Sequence, residues 1–366
     1  MIHTHKEWKR VTVKVGSNVL TRTDGTLDIT RMSALTDQIA ALRKRGIDVI
    51  LVSSGAVAAG RSEVTATRRL DSVDQRQLFS AVGQAKLMNR YYELFREHGM
   101  TVGQVLTMKE NFATRRLYLN QRNCMTVMLE NGVIPIVNEN DTVSVSELMF
   151  TDNDELSGLI ASMMDADLLV ILSNVDGLYD GSPDDPQSHV IPRIEPGTDL
   201  STYIRSTRST LGRGGMASKT GTAGKVAEEG IEVVIANGKR DGILTDLLCG
   251  DGREVTCTRF VPNATPMSGV KKWIAHSGGF AKGELHVDLG TTRMLASGQA
   301  ASILPVGITA IKGEFEKDDI VHIVDVEGRP IGVGKAACSC RQAQEAMGRQ
   351  GEKPVVHCNY LYIEQG

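Results

Sequence analysis

The sequence predicts an α/β protein: a three-layer αβα sandwich around a mainly parallel open sheet, followed by a small β-barrel-like domain. Three observations predict it. Short β-branched runs alternate with helical patterns through the first two thirds of the chain, as in successive βαβ units. Those runs are apolar at nearly every position, as expected of strands covered on both faces. From about Gly279 the texture changes to short runs separated by Gly, Asp and Pro turns.

Residues 11–15 read as the first strand. Residues 29–45 follow with Met32, Leu35, Ile39 and Leu42 at a helical period, capped by Asp28 or Thr30 and closed by Gly46. Residues 47–52 form the next apolar strand. Helical patterns over 76–98, 114–130, 152–164 and 216–229 then lead into strands over 101–106, 133–137, 168–172 and 232–235. In the tail, short runs fall at 284–287, 302–304, 308–311, 320–325 and 330–335. The expected organisation is a first domain over 1–262, a linker over 263–279 rich in Pro, Ser, Gly and Asn, and a second domain over 280–366.

Composition narrows the class. A chain of 366 residues exceeds one comfortable core. With 41% hydrophobic and 23% charged residues it suits a globular protein, and with only 4% aromatics its interior is built from aliphatic side chains and Met. A net charge of −3 advertises neither nucleic acid nor an anionic membrane. Apolar stretches fall far short of the ~20 residues of a membrane span. Met1–Arg10 is polar and lacks the apolar run of a signal peptide. Six scattered cysteines read as reduced thiols of a cytoplasmic protein. Cys338-Ser-Cys340 has no second pair for zinc, and the histidines form no close ligand pair, so no protein-built metal site is expected.

In a parallel sheet, ligands bind beyond the carboxyl ends of the strands. The loops there hold the polar residues. Lys14-Val-Gly16 closes the first strand: a point charge for phosphate beside a glycine that admits close approach, or an edge-strand lysine reaching solvent. Ser53-Ser54-Gly55-Ala56-Val57-Ala58-Ala59-Gly60 follows the second strand, leaving room for a ligand or making a tight helix–sheet turn. Asn138-Glu139-Asn140-Asp141 and Thr151-Asp152-Asn153-Asp154 place carboxylates and carboxamides by one crevice, where they bind an amino group and a carboxylate or orient a lysine and Mg²⁺, or, in the plainer reading, serve as helix caps of the Asp152 kind. Leu211-Gly212-Arg213-Gly214-Gly215-Met216-Ala217-Ser218-Lys219 feeds a glycine-rich loop into a helix N-terminus with a lysine one turn in, which suits a polyphosphate and is not a Walker A loop.

Together these segments resemble the amino acid kinase family and, within it, the glutamate 5-kinase branch. The resemblance spans nearly the whole chain in order. It rests on Val13–Ser17, the Val52–Gly60 loop, Val137–Asp141, Asp152–Asp154, Leu172–Tyr179 and Gly214–Lys219. The tail, from Gly283–Asp288 through Leu304–Ile308 and past Val321–Val326, is similar to a PUA domain. Two departures stand out. Ser173-Asn174 replaces a Thr-Asp or Ser-Asp pair, and Arg213 stands where a small residue or threonine is common.

The resemblance implies ATP-dependent phosphorylation of the glutamate γ-carboxylate. Lys14, Lys219 and Asp154 would be the catalytic residues. ATP would bind at Lys14, Gly16, Ser173, Asn174, Arg213, Gly214, Gly215, Met216, Ala217, Ser218 and Lys219, with Gly16, Gly214 and Gly215 supplying backbone N–H groups. Glutamate would bind at Ser54, Gly55, Asp141 and Asn153, with Asp141 on the α-ammonium. Mg²⁺ would accompany ATP as cofactor. The resemblance further implies inhibition by proline, a homo-oligomer (dimer or tetramer) and a glutamyl-phosphate reductase as consumer of the product. Residues 109–123, with Arg115, Arg116 and Arg122, read either as an oligomer or regulatory surface or as a solvated helix face. Rival readings are a sibling kinase acting on acetylglutamate, aspartate or a carbamate, and an RNA-binding regulator. Against the latter, residues from Gly278 onward hold nine Lys/Arg and eleven Asp/Glu.

Overall fold

The structure, a computed structural model, describes residues 7–65, 69–143, 150, 152–183, 185–199, 215–250, 255–297 and 301–363. The chain divides into two compact units, Met1–Asn111 with Leu119–Pro266, and Phe112–Tyr118 with Met267–Gly366.

The first unit is built on eight strands: β1 (Arg10–Val15), β2 (Asp48–Ser53), β3 (Val102–Thr107), β4 (Ile134–Glu139), β5 (Leu168–Ser173), β6 (Arg193–Ile194), β7 (Glu232–Asn237) and β8 (Cys257–Phe260). Their order in the sheet is β3-β4-β2-β1-β5-β7-β8-β6. Pairing is parallel throughout except between β7 and β8. Because successive side chains point to opposite faces, each strand feeds two cores. Val11, Val13 and Val15 of β1 join Leu168, Val170 and Leu172 of β5 on one face, under the helices Ile29–Lys44 and Ser72–Glu97. Leu169 and Ile171 of β5 join Val233 and Ile235 of β7 on the other, with Ala161, Ala223 and Val226 from the helices Asn153–Met163 and Met216–Glu228. Thr12 and Lys14 alternate with the valines of β1. They therefore share the face on which the helix Asn153–Met163 packs.

Six of these eight strands match runs read from the sequence, β6 and β8 are additional, and the details differ in other ways. Asn138 and Glu139 are not post-strand residues but the last two of β4, paired with Leu106 and Thr107 and buried. Short helices at Ser17–Leu20, Ala56–Arg61 and Ile243–Cys249 span too few turns to show a periodicity. β8 runs antiparallel to β7, a direction that apolar content does not encode.

In the second unit, β9 (Gly283–Val287), β10 (Ile308–Gly313), β11 (Ile320–Val324), β12 (Pro330–Ala336) and β13 (Val356–Ile363) form a sheet ordered β10-β9-β11-β12-β13. Only β9 and β11 pair in parallel among these described strands. Leu285, Val287, Phe315, Val321, Ile323 and Val356 fill its own core. Residues 302–304, expected as a strand, contribute a single bridge from Ile303 to Val356. The segment read as a linker contains the helix Gly269–Ala275. Its buried Trp273 donates from Nε1 to the Phe112 carbonyl at 2.9 Å, which is how residues 112–118 come to belong to this unit.

Candidate active site

The polar residues at the carboxyl ends of β1, β2, β4 and β5 converge at the edge of the sheet where the chain order switches sides about β1. Lys14 sits one residue before the end of β1, between β2 and β5, so the edge-strand reading does not apply. Its alternation aims it at the helix Asn153–Met163. There Asp154, fully buried in the first turn, holds Lys14 Nζ on Oδ1 at 2.5 Å and Lys219 Nζ on Oδ2 at 3.0 Å. Lys219 reaches in from the first turn of the helix Met216–Glu228. One carboxylate thus bridges two buried ammoniums.

The titration of these groups follows from that geometry. Burial lowers the Lys14 ammonium below its ordinary value, and the Lys219 charge acts the same way against the pull of Asp154. Burial alone would push the Asp154 carboxyl up, but the two lysines outweigh it and hold it below the usual range. Beside them, Asp152 caps the helix: its Oδ1 accepts from the Asp154 and Glu155 N–H groups at 2.9 and 3.0 Å. Burial and the neighbouring Asp154 charge raise the Asp152 carboxyl, with the Ser218 hydroxyl opposing.

Gly16 provides clearance rather than a donor. Its N–H donates to the Leu172 carbonyl at 3.1 Å, so it is not available to phosphate as the resemblance implied. A Cβ there would stand 3.3 Å from that carbonyl oxygen and 3.6 Å from Lys14 Nζ, closing the approach to the lysine. Gly215 is the N-cap of the helix Met216–Glu228; the N–H groups of Met216, Ala217 and Ser218 precede the first intrahelical bond, which Lys219 N–H makes to the Gly215 carbonyl at 3.3 Å. Arg213 and Gly214 lie outside the described residues, as does Thr151. At the end of β5, the Ser173 hydroxyl donates to Asn174 Oδ1 at 3.5 Å. Asp176 accepts from Asn237 Nδ2 at 3.0 Å and from the Tyr179 hydroxyl at 3.2 Å.

A second cluster forms next to the first. Asn153 Nδ2 donates to Ser54 Oγ at 2.8 Å and to Asn138 Oδ1 at 3.1 Å. Asn138 Nδ2 in turn donates to Gln84 Oε1 at 2.9 Å. Gly55, at φ +109°, turns the chain from β2 into the helix Ala56–Arg61, a conformation that glycine adopts without strain. Asp141 accepts from Arg76 Nε at 2.5 Å, and Glu139 from Arg76 Nη2 at 2.6 Å.

The structure therefore brings together Lys14, Asp154 and Lys219, and brings Ser54 to Asn153. Asp141 enters through a partner that sequence reasoning missed. Arg76 lies 65 positions upstream, on a helix from which no motif was read. Asn237 and Gln84 were missed in the same way, since a lone amide on a strand or helix carries no motif.

Comparison with known proteins identifies the family. A model of the amino acid kinase family matches residues 9–237, and one of the PUA domain matches residues 283–357. The chain is 70% identical over 359 residues to a Bacteroides thetaiotaomicron protein named glutamate 5-kinase, covering 98% of this chain and 99% of that one. It is 46% identical over 369 residues to another of that name from Chlorobaculum tepidum, covering 99% of both. Among solved structures, carbamate kinase from Giardia lamblia bound to AMP-PNP shares the fold, with a TM-score of 0.50 at 16% identity over 70% of this chain and 99% of that one. With both its sequence segments and its sheet accounted for in this way, the chain belongs to the amino acid kinase family, among its glutamate 5-kinases, and carries a PUA domain behind the kinase fold.

Proposed function

We propose that this protein transfers the γ-phosphoryl group of ATP to the side-chain carboxylate of L-glutamate, giving L-glutamyl 5-phosphate, the first step of proline biosynthesis. The observation that carries this reading is the Lys14–Asp154–Lys219 cluster. Two ammoniums on one carboxylate leave a net positive charge in a buried place, where uncompensated charge is costly. A polyphosphate offsets it.

A carboxylate is already ionised at pH 7 and needs no general base. The site must instead hold two anions in line and damp their repulsion. Lys14 and Lys219 meet the transferring group, while Asp154 fixes both lysines. The first-turn N–H groups after Gly215 face the phosphates, and the loop after Ser173-Asn174 takes the nucleoside end. Ser54, Gly55 and Asn153 hold the glutamate carboxylates by hydrogen bonding, and Asp141 takes the α-ammonium.

The donor set suits Mg²⁺. Asp152 Oδ2 is left over from capping and accepts no hydrogen bond, and Mg²⁺ takes one or two carboxylates together with substrate phosphates. When bound, the ion neutralises charge on the β- and γ-phosphates. Proline, which shares the α-carboxylate and amine of glutamate, competes for the Asp141 end of the pocket. The labile acyl phosphate passes to a reductase.

Trapping the acyl phosphate with hydroxylamine tests this reading. ATP, Mg²⁺ and L-glutamate should yield a hydroxamate that proline suppresses, with acetylglutamate and aspartate giving little. Hydroxamate from acetylglutamate or aspartate in preference to glutamate would replace the reading with a sibling kinase.

A further inference from the structure

The crevice has two poles. At one, Lys14, Lys219 and Asp154 sum to one positive charge; at the other, Arg76, Glu139 and Asp141 sum to one negative charge. Asn153 and Asn138 join them, because Asn153 neighbours Asp154 in sequence while its side chain reaches Asn138, the residue before Glu139. Arg76 is the member that no motif announces. It projects from the second turn of the helix Ser72–Glu97, across from the end of β4, with Nη2 meeting both carboxylates and Nε also donating to Asp141.

Contacts around it reach Thr142 and Phe150. Glu139 uses Oε2 for Arg76 and Oε1 for the backbone N–H of Phe150, at 3.1 Å. Gln77, the next residue of the helix, donates from Nε2 to the Thr142 carbonyl at 3.0 Å. Arg76 and Gln77 thus tie the helix to the start of the segment after β4, and Glu139 ties β4 to its far end. Asp141 lies between these ties, with its carboxylate oriented by a guanidinium whose planar fork lysine cannot reproduce.

We infer that Arg76 is a positioning residue for recognition of the substrate's α-ammonium. It offsets the charge of Glu139, so that Asp141 presents one oriented carboxylate instead of one half of a repelling pair. The inference rests on the assignment of glutamate as substrate and of Asp141 to its amine. Without Arg76, two carboxylates held close by β4 would face each other, and the preferred relief is protonation or reorientation of one of them.

Glutarate, which is glutamate without its α-amine, separates this role from a merely structural one. In hydroxamate kinetics, Arg76→Met should lower the glutamate-over-glutarate ratio of kcat/KM tenfold or more, with the loss on glutamate falling mainly on its KM and the KM for ATP nearly unmoved. Arg76→Lys should recover part of the ratio. The double variant Arg76→Met/Glu139→Gln, which removes the unneeded carboxylate along with its counter-charge, should recover more than Arg76→Met alone. Loss of both substrates in parallel at a preserved ratio, or a ratio unchanged in all three variants, would overturn the inference. Should Arg76→Met not fold, the Lys and double variants carry the same comparison. A parent protein that makes no hydroxamate from glutamate would instead overturn the substrate assignment beneath it.

Discussion

At the scale of single residues, Asp154 is where stability and chemistry meet. It is the shared counter-charge of Lys14 and Lys219, and no water reaches it. Asp154→Asn should therefore cost about 3–5 kcal/mol at neutral pH, because two buried ammoniums lose their partner. The pH dependence has a defined sign. A carboxyl held low in the folded state contributes stability above its unfolded pKa, near 3.8, and that contribution is lost as pH falls through the lower folded value. Urea unfolding measured down through the acid range should show a steeper loss in the parent than in Asp154→Asn; equal slopes would refute the pairing. Lys14 gives the alkaline counterpart. Its ammonium is held below its ordinary 10.5, so kcat/KM for ATP should decline as pH rises, with the decline setting in below that value. Lys14→Arg, whose guanidinium stays charged, should move that decline upward whatever its effect on the maximum.

At the scale of elements, two helices meet where backbone touches backbone. A Cβ on Gly83 would lie 1.8 Å from the Ala56 carbonyl oxygen, and one on Gly60 would lie 1.8 Å from that of Phe79. These glycines bring the helix Ala56–Arg61, which follows Ser54 and Gly55, against the helix that carries Arg76 and Gln84. Gly83→Ala should force them apart at a cost of about 1–3 kcal/mol or more. Because one helix follows Ser54 and Gly55 and the other carries Arg76 and Gln84, the melting temperature should fall together with a rise in KM for glutamate. A lower melting temperature with unchanged KM would uncouple that contact from the pocket.

The same elements show what the sequence disclosed and what it withheld. The sandwich was legible because β-branched runs and helical periods alternate; Lys14, Asp154 and Lys219 were picked out together through the family resemblance, Lys14 near the end of β1 and the other two in first turns of helices. Arg76 was not, since its meaning comes from a helix laid across β4, a relation between positions 65 apart. The polar end of β4 was read as a loop because Asn138 and Glu139 have low strand propensity. Tertiary pairing with Leu106 and Thr107 overrides that preference. β13 went unseen for a related reason: its run from Val356 to Ile363 is broken by His357, Cys358 and Asn359, which face outward or lie half-buried.

At the scale of the whole molecule, the described residues of the C-terminal unit carry a core of their own, separate from the two that flank the sheet of the first unit. Phe315 is buried among Leu285, Val287 and Val321 in the C-terminal unit. Phe315→Ala should cost that unit about 3–5 kcal/mol. Hydrogen exchange should then quicken in β9 to β13 while β1, β2 and β5 keep their protection; matching losses in both sheets would contradict separate cores. The kinase unit draws its specificity from charge arranged in space, since a net charge of −3 over the chain says nothing of a positive pole and a negative pole side by side. In the proposed mechanism the positive pole does the chemistry, and Lys219 is the member of it that reaches in from the helix Met216–Glu228. The most direct measurement is therefore the steady-state rate of hydroxamate formation by Lys219→Ala across glutamate concentrations at saturating ATP. A kcat lower by roughly 10²–10³, with KM for glutamate within a few-fold of the parent, is the expected result. An unchanged kcat would contradict the assignment of this cluster as the phosphoryl-transfer centre.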